Sequence, residues 1–322
     1  MPLELLIGHP STIRPATPAE PMGDDRAMDI RDILRVPPGQ PFDLAAIDPS
    51  GTPGMPHLAG DKAKGWARNH LDALGVELAS HQERLYAGAK TGDSRRRVLL
   101  ILQAMDCGGK DGTTRRVAGT MNPQGLRIVG FGPPTPEERE HDFLWRIRAA
   151  LPAPGYLGVF NRSHYEDVLI ARVHGLVPPD VWRARYETIN AFERELVDDG
   201  TTVVKVMLHI SFDEQRRRLA ARLDDPTKHW KYNPADIDER GFWAEYQLAY
   251  QDALSKCSTD HAPWYLVPAD RKWYRDWAVA SLLREVLVDL GLTYPKGDFD
   301  VVTERERLAE STDPGRLKAT DR

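Results

Sequence analysis

The apolar positions of the chain follow two rhythms. From His57 to about Ala89, Leu71, Leu74, Leu78 and Leu85 recur at three-, four- and seven-residue steps, which predicts one long amphipathic helix. Five short β-rich apolar runs follow: RVLLILQA (97 to 104), LRIVGF (126 to 131), YLGVF (156 to 160), TVVKVMLHI (202 to 210) and WYLVPA (264 to 269). Near-continuous apolar runs of this length, alternating with helical patterns, suit a parallel sheet covered by helices on both faces. The predicted class is α/β with a five-stranded parallel sheet.

Helix signals fall between the runs. Thr135-Pro136-Glu137-Glu138 supplies a cap residue, a proline at the first helical position and acids in the first turn. Another helix is predicted from Pro179. SFDEQRRRLAARLDDPTKHWKY (211 to 232) reads as a basic helix ending in a charged loop, and RKWYRDWAVASLLREVLVDLGL (271 to 292) as an amphipathic helix with a glycine stop. Residues 1–56, with PPGQP and PSGTPGMP, show little periodicity and read as an extended Pro/Gly-rich arm, while residues 296–322 read as a polar, loosely ordered tail.

Composition narrows the function classes. With 41% hydrophobic and 28% charged residues among 322, the chain has the make-up of a soluble globular protein. No apolar run approaches the roughly 20 residues of a membrane helix, and the N-terminus lacks a basic segment followed by an apolar one. Two cysteines, Cys107 and Cys257, are too few for a disulfide framework or a thiolate metal site. A cytoplasmic location without a membrane partner is expected. A net charge of −5 argues against a nucleic-acid partner and requires any polyanion site to be local.

Three segments carry candidate chemistry. In LLILQAMDCGGKDGTTRRV (99 to 117) a buried strand runs into Gly108-Gly109-Lys110 and then a helix. That arrangement gathers backbone N–H groups and a helix N-terminus around an anion. The same letters also fit an ordinary tight turn, because Asp111 stands where a Walker loop has Ser or Thr and Ala104 where it has Gly. Asp106, just past the strand, makes sense if a magnesium ion lies between it and phosphates, or reads as a cap of the following helix. Asp111 reads either as part of that site or as a first-turn acid at the positive end of the helix.

The second segment, GVFNRSHYEDVLIARVHG (158 to 175), releases Asn161, Arg162, Ser163, Glu166 and Asp167 at the carboxyl end of a strand. In an open parallel sheet these groups and the Lys110 loop face one crevice. Arg162 would grip a phosphate through its planar fork, and Glu166 or Asp167 would be the second metal carboxylate. The other reading is a helix start with local ion pairs. The third segment carries Arg216, Arg217, Arg218 and Arg222, then Lys228 and Lys231. It reads either as a solvated face or as a lid over a phosphate crevice, where positioning and charge neutralisation do most of the catalysis. Arg95, Arg96, Arg97, Arg115 and Arg116 are expected to extend the positive surface near the loop, a row suited to a long chain of phosphates.

These segments resemble a known family. AMDCGGKDGTTRRV, MNPQGLRIVGFGPPTPEEREHDFLWR, FNRSHYEDVLIARVHGLVP and STDHAPWYLVPADRKWYRDWAV are similar, in the same order, to motifs of the polyphosphate kinase 2 family, over about residues 45 to 295. The spellings GKDGT and FNRSHYEDVL resemble the class III branch, whose members act on nucleoside mono- and diphosphates. The resemblance implies a P-loop-kinase-like three-layer α/β/α domain (57–295) with a helical lid at about 211–250. Its implied activity is transfer of the terminal phosphoryl of inorganic polyphosphate to adenine nucleotides, with guanine as a second base, using Mg²⁺ or Mn²⁺. It further implies a homodimer or homotetramer.

The catalytic set so implied is Asp106, Lys110, Arg162, Glu166, Asp167 and Arg218, with Asp106 and Asp167 on the metal. The implied substrate-binding set is Gly108, Gly109, Asp111, Gly112, Thr113, Arg116, Asn161, Arg216, Arg222 and Lys231. Two positions depart from the family pattern: Ala104 where many relatives have Gly, and Gly132 where relatives often carry Lys. Two rival readings are an ATP-dependent nucleotide kinase of the thymidylate kinase type and a polyphosphate-binding protein that transfers nothing. Carboxylates at Asp106 and Asp167 speak against pure polyanion binding, which would gain from losing them.

Overall fold

Strands β1 (Arg97–Ala104), β2 (Leu126–Gly130), β3 (Leu157–Asn161), β4 (Thr201–His209) and β5 (Trp264–Pro268) form one sheet. They lie in the order β2-β3-β1-β4-β5, and every pair is parallel. The structure is a computed structural model that describes residues 29–92 and 94–311. β1 is central, and its side chains alternate between two cores. Val98, Leu100, Leu102 and Ala104 pack into one, Leu99 and Ile101 into the other, as strand periodicity demands.

The helices are α1 (Ile30–Leu34), α2 (Gly60–Lys90), α3 (Lys110–Val117), α4 (Trp145–Ala150), α5 (Ile170–Val173) and α6 (Pro179–Asp198). They continue with α7 (Phe212–Leu223), α8 (Ala235–Arg240), α9 (Trp243–Cys257), α10 (Lys272–Asp289) and α11 (Val301–Glu310). Residues of α2, α3 and α10 share a core with one face of the sheet, and residues of α4, α6 and α9 share the cores of the other face. The result is three layers. The chain runs from β1 to β2 on one side and later from β3 to β4 on the other, so the order reverses beside β1. The crevice outside the carboxyl ends of β1, β3 and β4 is therefore the expected ligand position.

Three local expectations change. The predicted helix at Thr135 closes only one 3₁₀ turn, Glu138–Glu140. Its capping box does form, with Thr135 N–H on Glu138 (2.9 Å) and Glu138 N–H on Thr135 Oγ1 (3.2 Å). That turn buries no residue, so there is no packed face to extend it. The tail carries the ten-residue α11, with residues 312–322 outside the described part. Arg97 starts β1 and bonds Thr201 Oγ1 at 2.7 Å, and the eight-residue strand puts it roughly 25 Å from the loop at the other end. Arg95 to Arg97 thus belong to the opposite edge, and only Arg115 and Arg116 extend the positive surface beside the loop.

The arm, over its described residues, packs on its own chain. Val36 N–H bonds Trp264 O (2.8 Å), Arg35 bridges Tyr265, and Val36 and Leu44 are fully buried. Residues 1–28 lie outside the described part. At the arm's start, Glu285 of α10 accepts the N–H groups of Ile30 and Arg31 (3.3 Å each). Burial and the neighbouring Asp29 push its carboxyl up from 4.5 to about 7. A carboxyl that titrates higher folded than unfolded destabilises the fold as pH rises through that interval. Glu285→Gln is therefore expected to flatten the pH dependence of stability, gaining about 1 kcal/mol on the wild type at pH 8 relative to its standing at pH 4 after allowing for partial exposure, whatever the constant cost of the one N–H that its single amide oxygen cannot accept. Equal melting shifts at both pH values would show that the arm is not held this way.

Candidate active site

The loop after β1 has an unusual path. Cys107 has φ 62° and Gly109 φ 111°, the left-handed region that a cysteine seldom enters unless its surroundings fix it. Here they do. Gln215 Nε2 donates to Asp106 O (2.9 Å), and Arg218 Nη1 donates to Cys107 O (2.9 Å) and Gly108 O (3.1 Å). A Cβ on Gly108 would stand 2.5 Å from Ala104 Cβ, so the methyl at Ala104 fits because Gly108 has none. The loop opens into α3, whose first N–H groups lack intrahelical partners.

Lys110 is buried, with Nζ donating to Ala104 O at 2.8 Å. Burial, followed by the charge of Arg162, pulls its pKa down. Arg162 sits at φ 64° just past β3, and its Nη2 donates to Asp106 Oδ1 at 2.8 Å while Nη1 lies 3.8 Å from Glu166. Burial pushes the Glu166 carboxyl up against the opposing pull of Arg162 and Lys110. The loop carrying Asn161 to Asp167 rests on a fully buried cluster. Lys205 of β4 donates to Tyr165 Oη (2.9 Å), Glu193 Oε2 (2.5 Å) and Cys257 O (2.6 Å), and Tyr165 Oη donates to Glu193 Oε1 (2.9 Å).

The lid touches the loop from the other side. Asn161 Nδ2 donates to Asp111 Oδ1 (2.6 Å), and Lys231 Nζ lies 3.4 Å from Asp111 Oδ2. Despite burial, these two neighbours hold the Asp111 carboxyl below its ordinary value. Arg222 Nη1 donates to Lys231 O (2.9 Å) and Asp236 (3.1 Å), fixing the segment that presents Lys231. Beside it the Trp230 ring stands 78% exposed at the edge of the cavity.

Between lid, loop and the α2–α3–α10 wall lies a cavity of about 1350 Å³. Fourteen Lys and Arg side chains line it against six carboxylates, an excess of eight cations in a chain of net charge −5. The positive potential is local, and it selects a substrate carrying many negative charges.

The structure brings Asp106, Gly109, Lys110, Asp111, Gly112, Arg116, Asn161, Arg162, Arg218, Arg222 and Lys231 to this cavity. Gly108 underlies the loop, and Thr113 is buried behind it, its hydroxyl 3.4 Å from Asp276. Glu166 stands behind Arg162. Three expectations are corrected. Asp167 does not line the cavity: its carboxylate and carbonyl take bonds from Arg185 Nη1 (3.2 and 2.9 Å), so it is not paired with Asp106. Arg216 is on the outer face of α7, where its charge acts on Arg240, and Arg217 lines the cavity in its place. Arg218 is no mobile lid residue, since its guanidinium is committed to Glu214 and four backbone carbonyls.

Asp106 fits a magnesium ion. One carboxylate oxygen is taken by Arg162, the other makes no hydrogen bond to the described residues, and the residue lines the cavity. A hard cation that keeps several waters needs only one or two protein carboxylates together with substrate phosphates. Among the described residues no group of three or more His, Cys, Asp or Glu is arranged to hold a metal, and no helix is long and apolar enough to cross a membrane.

Residues that the sequence did not flag complete the walls: Lys64 and Arg68 of α2, and Arg271, Lys272 and Arg275 at the start of α10. Their signal was weak, because each sits in a helical pattern whose charges read as solvated.

Comparison with known proteins bears on the family and the fold. The family model described as polyphosphate kinase 2 matches residues 62–290. An AMP/ADP-polyphosphate phosphotransferase of Meiothermus ruber is 47% identical over 262 residues, 81% of this chain and 94% of that protein. An ADP-polyphosphate phosphotransferase of Rhodopseudomonas palustris is 43% identical over 235 residues, 68% of this chain and 78% of that protein. The crystal structure of polyphosphate kinase 2 from Arthrobacter aurescens superposes with a TM-score of 0.84 at 50% identity, covering 88% of this chain and 98% of that one.

Proposed function

The chain belongs to the polyphosphate kinase 2 family and is a polyphosphate-dependent nucleotide phosphotransferase, and we propose that both AMP and ADP are its acceptors. The observation that carries this reading is the eight-cation excess around a loop whose Asp106 presents a free carboxylate oxygen beside Arg162. The donor chain lies along the α2–α3–α10 wall, to which Lys64, Arg68, Arg115 and Arg116 all contribute charge. The acceptor lies under the lid beside Lys231, with Trp230 offering a face to the base.

An oxygen of the acceptor phosphate attacks the terminal phosphorus of polyphosphate, and the bridging P–O bond to the rest of the chain breaks. The attacking group is already an anion and needs no strong base. Lys110, Arg162 and the α3 N-terminus hold the transferred group and its charge in line. Mg²⁺ bound through Asp106 would neutralise phosphate oxygens on donor and acceptor. Guanine nucleotides as alternative acceptors and assembly into a dimer or tetramer belong to the same proposal.

Polyphosphate labelled with ³²P at its ends, incubated with unlabelled AMP, is expected to yield labelled ADP and then labelled ATP. Label that stays in polyphosphate while the protein binds it would establish binding without transfer. The departure at Gly132 offers a graded test. A Cβ there meets no atom within 4 Å, and the residue lines the cavity. Gly132→Lys should lower the KM for polyphosphate several-fold and leave kcat within about twofold, as one further phosphate contact implies. An unchanged or raised KM would place the donor elsewhere.

A further inference from the structure

Arg275 is 3% exposed, yet it lines the cavity. Its Nε and Nη2 donate to Asp276 Oδ1 at 2.9 and 2.6 Å, and Asp276 also accepts from Thr113 Oγ1 of α3. The guanidinium plane is thereby fixed against the phosphate loop. A Cβ built on Gly109 would stand 1.8 Å from Nη1, and one on Gly112 would stand 3.0 Å from Nη2. Both glycines leave room for this one side chain, at Gly112 without any positive φ to require a glycine. Nη1 makes no hydrogen bond to the described residues and is not a fully buried atom, so in a side chain otherwise shut off from water it is the donor left open to the cavity.

We propose that Arg275 is a phosphate-binding residue, whose Nη1 donates through the Gly109–Gly112 notch to a phosphoryl oxygen of the polyphosphate chain seated on the loop. The inference rests on the function proposed above. The donor is its ligand because Arg275 opens onto the α3–α10 wall, where Arg115, Arg116, Arg271 and Lys272 continue the positive row. Burial already disfavours its charge, with Asp276 opposing, so an arriving anion gains there what water cannot supply. The second glycine of GGK and the glycine three residues later in KDG acquire a shared reason: they let a cation approach the loop backbone from beneath.

The test uses the double variant Arg275→Gln with Asp276→Asn, which avoids leaving a buried carboxylate unpaired, alongside Arg275→Lys. Binding of inorganic tripolyphosphate is followed by calorimetry without nucleotide, KM values for polyphosphate and AMP are measured separately, and melting is recorded. The double variant should bind tripolyphosphate at least tenfold more weakly and raise the KM for polyphosphate to match. Its KM for AMP should stay within twofold, with Arg275→Lys recovering part of the loss. Wild-type tripolyphosphate affinity in the double variant would overturn the proposal. Equal losses for polyphosphate and AMP accompanied by lowered melting would overturn it too, leaving Arg275 a brace only. A wild-type protein that binds tripolyphosphate but transfers nothing would refute the function instead, and the binding comparison would still decide Arg275.

Discussion

Lys110→Ala is expected to lower polyphosphate-dependent transfer by about 10³-fold or more while leaving the fold intact. Lys110 is the one cation that both starts α3 and reaches back under the loop to Ala104 O, so its charge sits where the loop and the helix N-terminus already converge on an anion. In the closed crevice that charge is desolvated, and a phosphate that neutralises it interacts far more strongly than it would in water. Steady-state kcat with polyphosphate and AMP reads the effect, and melting within a few degrees of wild type guards against misfolding. Lys110→Met, which keeps the buried stem, should be as inactive as the alanine variant. Turnover near wild type in either would remove Lys110 from the site.

Arg218→Met should be the most damaging substitution for stability, at about 3–5 kcal/mol, or a melting point lower by roughly 10 °C. Its guanidinium donates to Cys107 O, Gly108 O, Ala269 O and Asp270 O, and its Nε donates to Glu214 Oε1 at 2.8 Å. Methionine satisfies none of them and leaves Glu214, itself buried, with only the exposed Arg217 as an ionic partner among the described residues. Transfer should also fall by about 10²-fold, because the left-handed turn at Cys107 loses its clamp and small displacements of a positioning loop are amplified in rate. A variant that melts like the wild type would mean that the loop holds its shape unaided.

Much of this was legible in the sequence. The five strands fall within a residue or two of their apolar runs; in β1, β3, β4 and β5 this is because a buried parallel strand has no polar side to blur its ends, whereas β2, an edge strand with Ile128 exposed, was legible from its β-rich residues alone. The phosphate loop and the Asn161-Arg162 turn were legible for a related reason: charged residues set directly after apolar strands must emerge at the crevice. What could not be read is where each charged side chain spends its hydrogen bonds. Asp167 follows Glu166 by one position, and only the path of the 3₁₀ turn at His164–Asp167 decides that Glu166 stands behind Arg162 while Asp167 meets Arg185. The same holds for the α7 arginines, where a difference of one or two residues on a helix separates a loop clamp at Arg218 from a solvent-facing Arg216. Lys205 shows the converse. It interrupts the apolar run TVVKVMLHI, and its reason, a buried carboxylate on α6 at Glu193, lies outside any local pattern.

The central claim is that polyphosphate, and not a nucleoside triphosphate, is the phosphoryl donor to AMP and ADP at this crevice. The most direct test incubates the purified protein with magnesium and long-chain polyphosphate, offers AMP and ADP in separate reactions, and resolves the nucleotides over time. ATP formed from both acceptors is the predicted result. No product from either, with transfer appearing only when ATP is supplied as donor, would contradict it.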